Sequence, residues 1–100
     1  MLGSTTTFFP YPRRVPVVSR FYGIVVLMYY SDHDPPHFHV RYSGRKAAIA
    51  IEDGRLLAGS LPPRARALVA EWAKLHQDEL LKNWERARRG EHLKPIPPLE

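Results

Sequence analysis

One hundred residues with 44% hydrophobic and 25% charged side chains make the chain length and composition of one ordinary globular domain, which excludes a disordered polymer and a second independent unit. With no cysteine, neither a disulfide framework nor thiolate metal ligation is available, and a reducing compartment such as the cytoplasm is the expected setting. Fifteen Lys and Arg against ten Asp and Glu leave a charge of +5, enough to raise nucleic acid as a partner.

The longest apolar run, Phe21 to Tyr30, is ten residues, about half of a membrane-spanning helix, so no membrane partner is expected. The first ten residues lack the basic and apolar regions of a secretory signal. Residues 1–18 mix Thr, Pro, Arg13 and Arg14 without a period of strand or helix and read as a mobile arm. Phe21 to Tyr30 is β-branched and aromatic on both alternating sets, as in a strand covered on both faces; a buried helix is the alternative. Ser31-Asp32-His33-Asp34-Pro35-Pro36 is a turn, because Asp side chains bond the local backbone and the prolines end a ladder.

His37 to Tyr42 is the next strand, with Phe38, Val40 and Tyr42 on its core face and His37, His39 and Arg41 on the other. Ser43-Gly44 then serves as a two-residue hairpin loop. That register sets Tyr42 opposite Arg45, Val40 opposite Ala47 and Phe38 opposite Ile49. On the other face Arg41 meets Lys46, His39 meets Ala48 and His37 meets Ala50, which leaves room above the imidazoles. The third strand, Lys46 to Glu52, is expected to turn at Asp53-Gly54 as a type I′ pair, so that Arg55 to Ala58 returns with Arg55 opposite Glu52.

A helix starts near Pro62-Pro63. Ala65, Leu68, Val69, Trp72 and Leu75 share one stripe, whereas Leu80, Trp84 and Ala87 lie on a rotated one, which predicts a bend or break around His76-Gln77-Asp78 with Asp78 as N-cap. Gly90 is the natural stop. The whole is an α+β domain over residues 19–92: a three- to four-stranded antiparallel sheet packed on one face by a bent or two-part C-terminal helix. A Pro-rich extended tail, residues 93–100, follows.

Ser19-Arg20-Phe21-Tyr22-Gly23-Ile24, Asp32-His33-Asp34-Pro35-Pro36-His37-Phe38-His39-Val40-Arg41-Tyr42, Leu61-Pro62, Glu71-Trp72-Ala73 and Asn83-Trp84-Glu85-Arg86-Ala87 are together similar to the small prokaryotic family called domain of unknown function 4160. The resemblance implies a stand-alone cytoplasmic protein, of a kind often encoded beside a second small protein in an arrangement like toxin–antitoxin pairs. It implies no catalytic residues. Members usually begin with Met-Pro shortly before the Ser-Arg-Phe-Tyr-Gly segment, where this chain has Val15-Pro16, so Val15 is an expected alternative start.

The densest functional-group cluster is His33, His37 and His39 with Asp32 and Asp34. His37 and His39, on one strand face, could hold a divalent transition metal with His33 or Asp34 completing the set. A metal-free alternative is phosphodiester chemistry, with His37 and His39 as acid or base and Arg41 and Lys46 stabilising developing charge. The favoured reading, with no cofactor, is a rigid turn in which Asp32 and Asp34 cap the backbone and the histidines bond their neighbours. His76 reads as a core-edge residue, Trp72 and Trp84 as core or interface anchors, and Lys82, Arg86, Arg88 and Arg89 as a solvated face that suits a helix C-terminus.

Two functions are therefore expected from different classes. One is a component of a toxin–antitoxin-like two-protein module that binds a small protein encoded nearby and RNA or DNA; the other is a small RNA-cleaving or metal-dependent enzyme. Residues 1–20 carry three arginines and no acid, so the remainder has a net charge of only +2. The basic character that matters is therefore local, at Arg41 and Lys46.

Overall fold

The computed structural model describes residues 16–100; the expected arm lies outside them except for its last three residues. Tyr22-Gly23 and Ser43-Gly44 are both turns with positive φ at the two central residues, the type I′ geometry whose twist matches that of the flanking strands. The first of these turns divides the apolar run that reads as one strand from the sequence. Strand β1 (Val17–Phe21) precedes it and β2 (Ile24–Leu27) follows it. The sheet consequently has five strands rather than three or four, because β1 draws in Val17 and Val18 from the expected arm.

Strands β3 (His37–Tyr42) and β4 (Arg45–Ala50) pair in the register expected from the hairpin at all six positions. Strand β5 (Leu56–Gly59) completes an antiparallel meander in simple chain order. The turn before β5 differs from expectation. Only Gly54 has positive φ, and Ala50 N–H donates to the Arg55 carbonyl, so the loop spans residues 51–54 rather than Asp53-Gly54 alone. Gln77 holds it open by donating from Nε2 to the carbonyls of Ile51 and Glu52, at 3.0 and 2.8 Å. Arg55 accordingly pairs with Asp53 at 2.7 Å and not with Glu52.

Leu57 is an extra residue in β5, where Ala58 faces Ala48 and Leu56 faces Ile49. The following Gly59 has φ +78°, and a Cβ built there would lie 2.0 Å from the Lys46 carbonyl oxygen. Left-handed backbone and close approach both demand glycine. Gly59→Ala is expected to cost more than about 2 kcal/mol, whereas Gly44→Ala, with equal φ and open space, should cost about 1 kcal/mol. Urea denaturation followed by circular dichroism ranks the two; equal costs would remove the steric argument.

Helix α1 (Pro63–Leu75) opens with Pro at its first turn, and α2 (Gln77–Arg88) follows after the single residue His76. The break falls where the two apolar stripes diverge, but His76 is the N-cap of α2, and Asp78 and Glu79 lie in the first turn, where their charge suits the helix dipole. Leu75 is 66% exposed because α1 ends there. Gly90 N–H donates to the Ala87 carbonyl and Glu91 N–H to the Arg86 carbonyl, the paired bonds of a Schellman stop, with Gly90 at φ +71°. Among the described residues no helix is long and apolar enough to cross a membrane.

One face of the sheet buries Val26, Phe38, Val40 and Ile49 against Val69, Trp72, Leu80 and Trp84 of the helices. The tail is irregular but docked. Ile96 is buried and its N–H donates to the Val18 carbonyl at 2.8 Å, while Trp72 Nε1 donates to the Pro97 carbonyl at 2.8 Å. Buried Asn83 pairs with both backbone groups of Lys94, donating to its carbonyl at 2.8 Å and accepting from its N–H at 2.9 Å.

Candidate functional site

The turn between β2 and β3 brings Asp32 back over the start of β3. Its Oδ1 accepts the His33 backbone N–H at 2.9 Å, a local bond of the kind that favours Asp in turns. With that oxygen occupied, Oδ2 points at two imidazoles, 2.9 Å from His37 Nε2 and 3.0 Å from His39 Nε2. The strand alternation places both histidines on one face, and their ring centroids are 5.0 Å apart. One ligand atom from each of Asp32, His37 and His39 lies within 4.8 Å of the other two.

Each ring is also held from its other side. His37 Nδ1 donates to the Pro35 carbonyl at 2.7 Å, and its ring lies 5.3 Å from that of Trp84 on α2. His39 packs 4.1 Å from Tyr29, centroid to centroid. The His37 side chain is only 5% exposed, against 24% for His39 and 16% for Asp32. The room expected above both rings therefore exists only beside His39, since α2 closes the site over His37.

Burial acts to raise the Asp32 carboxyl, but the hydrogen bonds from the His39 ring and the His33 N–H, with the two imidazoles close by, outweigh it and hold the group below its ordinary value. At His39 burial dominates and, with His37 and Arg41 nearby, pushes the imidazole below its ordinary value despite the bond to Asp32. Near neutral pH Asp32 is thus a carboxylate, and His39 is a neutral ring that donates from Nε2.

His33 and Asp34, the expected completing groups, stand outside this cluster. The His33 side chain is 90% exposed, and Asp34 faces Arg88 of α2 at 3.8 Å. Asp32 completes the set instead, because the prolines turn the chain after Asp34 and leave the earlier carboxylate over the strand. His76, at the helix junction, bonds Glu79 and packs on Trp72, which makes it a junction residue remote in role from the cluster.

Away from His37 the same sheet face is basic. Arg20 pairs in register with Val25, Val25 with Arg41 and Arg41 with Lys46, so one row crosses four strands with three cations around a valine. All three are exposed. Among the described residues no carboxylate pairs with them, and residues 1–15 contain no acid. Beside the Ser43-Gly44 turn, Val25, Arg41, Tyr42 and Lys46 border a shallow cavity of about 230 Å³. Arg20 was missing from the sequence-based set, since its place in the row depends on the Tyr22-Gly23 turn.

A family model described as Domain of unknown function (DUF4160) matches residues 23–85, a span that includes Asp32, His37, His39, Arg41 and Lys46. No curated protein and no solved structure matches the chain.

Proposed function

From a chain that belongs to the DUF4160 family, whose description states no activity, we propose a function carried by the exposed basic end of this sheet face: this is the binding component of a cytoplasmic, prokaryotic, toxin–antitoxin-like two-protein module. The supporting observation is the row Arg20, Val25, Arg41 and Lys46, exposed cations without acidic partners among the described residues, around an apolar residue. Folding alone gives no reason to set Arg41 directly opposite Lys46, where like charges repel, with Arg20 in the same row. A partner surface carrying carboxylates relieves that repulsion and is steered to the face by it. The gene arrangement implied by the family resemblance supplies the partner's source, a small protein encoded alongside.

Co-expression of the two proteins and size-exclusion chromatography should give a complex. The double charge reversal Arg41→Glu with Lys46→Glu is expected to weaken it about tenfold or more, with a flatter dependence on salt than the wild type shows. Independent elution of the two wild-type proteins would refute this reading. Nucleic acid co-purifying with the wild type and not with the reversed variant would put RNA or DNA in the partner's place.

A second reading, a small RNA-cleaving enzyme, is supported by the Asp32 and His39 pair lying on the same face as Arg41. There an imidazole able to exchange protons stands near a cation able to stabilise a developing phosphorane charge. RNA cleavage by the wild type that disappears in His39→Ala would select it over the first.

A further inference from the structure

We infer that Asp32 Oδ2, His37 Nε2 and His39 Nε2 form a binding site for one divalent transition-metal ion, with solvent-facing coordination positions beside His39. The inference is independent of whether the basic row engages a partner. It starts from protons. A carbonyl only accepts, so the His37 Nδ1 that lies 2.7 Å from the Pro35 carbonyl must carry the ring hydrogen. In the neutral ring this leaves a lone pair on Nε2, aimed at a carboxylate oxygen 2.9 Å away. Two acceptors at that distance repel unless a cation lies between them, either a second proton on the ring or a metal ion. A metal satisfies both at once and recruits His39, whose ring hydrogen then moves from Nε2 to Nδ1.

The spacing fits. Two ligand atoms about 2.1 Å from an ion and at right angles to one another are about 3.0 Å apart, and the two nitrogens stand 2.9 and 3.0 Å from Oδ2. A hydrogen bond has the same length, so the surroundings of the ligands carry more weight. Histidines that bind metals characteristically donate their second N–H to a backbone carbonyl, and ligating carboxylates are themselves hydrogen-bonded on the other oxygen. His37 makes the first bond with Pro35, and Asp32 accepts the second from the His33 N–H. Trp84 and Tyr29 wall the rings with apolar surface.

Two imidazoles and a carboxylate on one side of an ion, without sulfur, suit Zn²⁺, Fe²⁺, Co²⁺ or Ni²⁺ and leave positions open for water or an anionic ligand. Exposure rises from His37 through Asp32 to His39, which places those open positions toward the sheet face that carries Arg41.

The test is calorimetric titration of Zn²⁺ into the metal-stripped full-length protein, paired with the visible spectrum of the Co²⁺ form. The expected result is one ion per chain, and binding weakened at least about 100-fold in Asp32→Ala and His39→Ala. His33→Ala keeps the backbone N–H that bonds Asp32 Oδ1 and removes a 90% exposed ring 4.0 Å from that oxygen, so it should weaken binding less than about tenfold. Asp32→Asn keeps the shape of the turn and should still lose the affinity and the Co²⁺ bands while its circular dichroism matches the wild type. Unchanged Zn²⁺ binding in folded Asp32→Asn, loss in His33→Ala alone, or no binding to the wild type would each overturn the site.

Discussion

Trp72→Ala is expected to lower the unfolding free energy by about 3–5 kcal/mol, much of the roughly 5–15 kcal/mol that holds a domain of this kind together. Trp72 is fully buried and joins the sheet, the helices and the tail. Its ring lies 5.3 Å from that of Phe21 in β1, 5.9 Å from that of Phe38 in β3 and 5.6 Å from that of His76 between the helices. Its Nε1 donates to the Pro97 carbonyl in the tail. Alanine loses the transferred area, leaves a cavity and unpairs that carbonyl together. Trp72→Phe keeps most of the ring and should cost about 1–2 kcal/mol, chiefly through the lost hydrogen bond. Urea midpoints for the two variants measure the difference; a cost under about 1.5 kcal/mol for alanine would mean that Trp72 is not where sheet, helices and tail are joined.

Removing residues 93–100 is expected to cost more than about 4 kcal/mol or to abolish folding. The segment has no regular structure, yet it closes three separate openings. Ile96 is 4% exposed and its N–H caps the Val18 carbonyl at the bulge of β1. Pro97 takes the Trp72 indole hydrogen. Lys94 supplies two of the bonds of fully buried Asn83; Arg86 also donates to the Asn83 Oδ1 at 2.9 Å, so loss of Lys94 leaves the Asn83 amide donor unsatisfied at about 1–3 kcal/mol. Thermal unfolding of the shortened chain is the measurement, and an unchanged midpoint would show that the tail is an appendage.

That segment marks where sequence reading stops. Proline-rich composition predicts an extended chain and not its docking, because the docking partners, Val18, Trp72 and Asn83, are remote in sequence and bond through backbone groups. The β3–β4 hairpin was legible at every position because side-chain alternation and a two-residue loop leave one register. The break at His76 was legible because two helical stripes cannot face one sheet from a straight axis. The Tyr22-Gly23 turn was hidden by Tyr at a left-handed position, where Asn or Asp is the usual signal. The Asp53-Gly54 turn misled, since the hydrogen bonds from Gln77 that widen it come from a helix more than twenty residues on.

At the site, alternation along β3 identified His37 and His39 as neighbours. The choice of Asp32 over His33 or Asp34 depended on the path of the turn, and spacing alone does not encode that. The closure of His37 by Trp84 is likewise a helix-packing outcome. Arg41 and Lys46 were found by register, and Arg20 joined them only once β1 was in place.

The most direct measurement is anomalous diffraction at the metal edge from crystals of the full chain grown with Zn²⁺ or Co²⁺. The predicted result is a single strong peak about 2.0–2.2 Å from Asp32 Oδ2, His37 Nε2 and His39 Nε2, with the His37 Nδ1 bond to Pro35 retained. A peak at His33 and Asp34, or none within reach of His37, would contradict it.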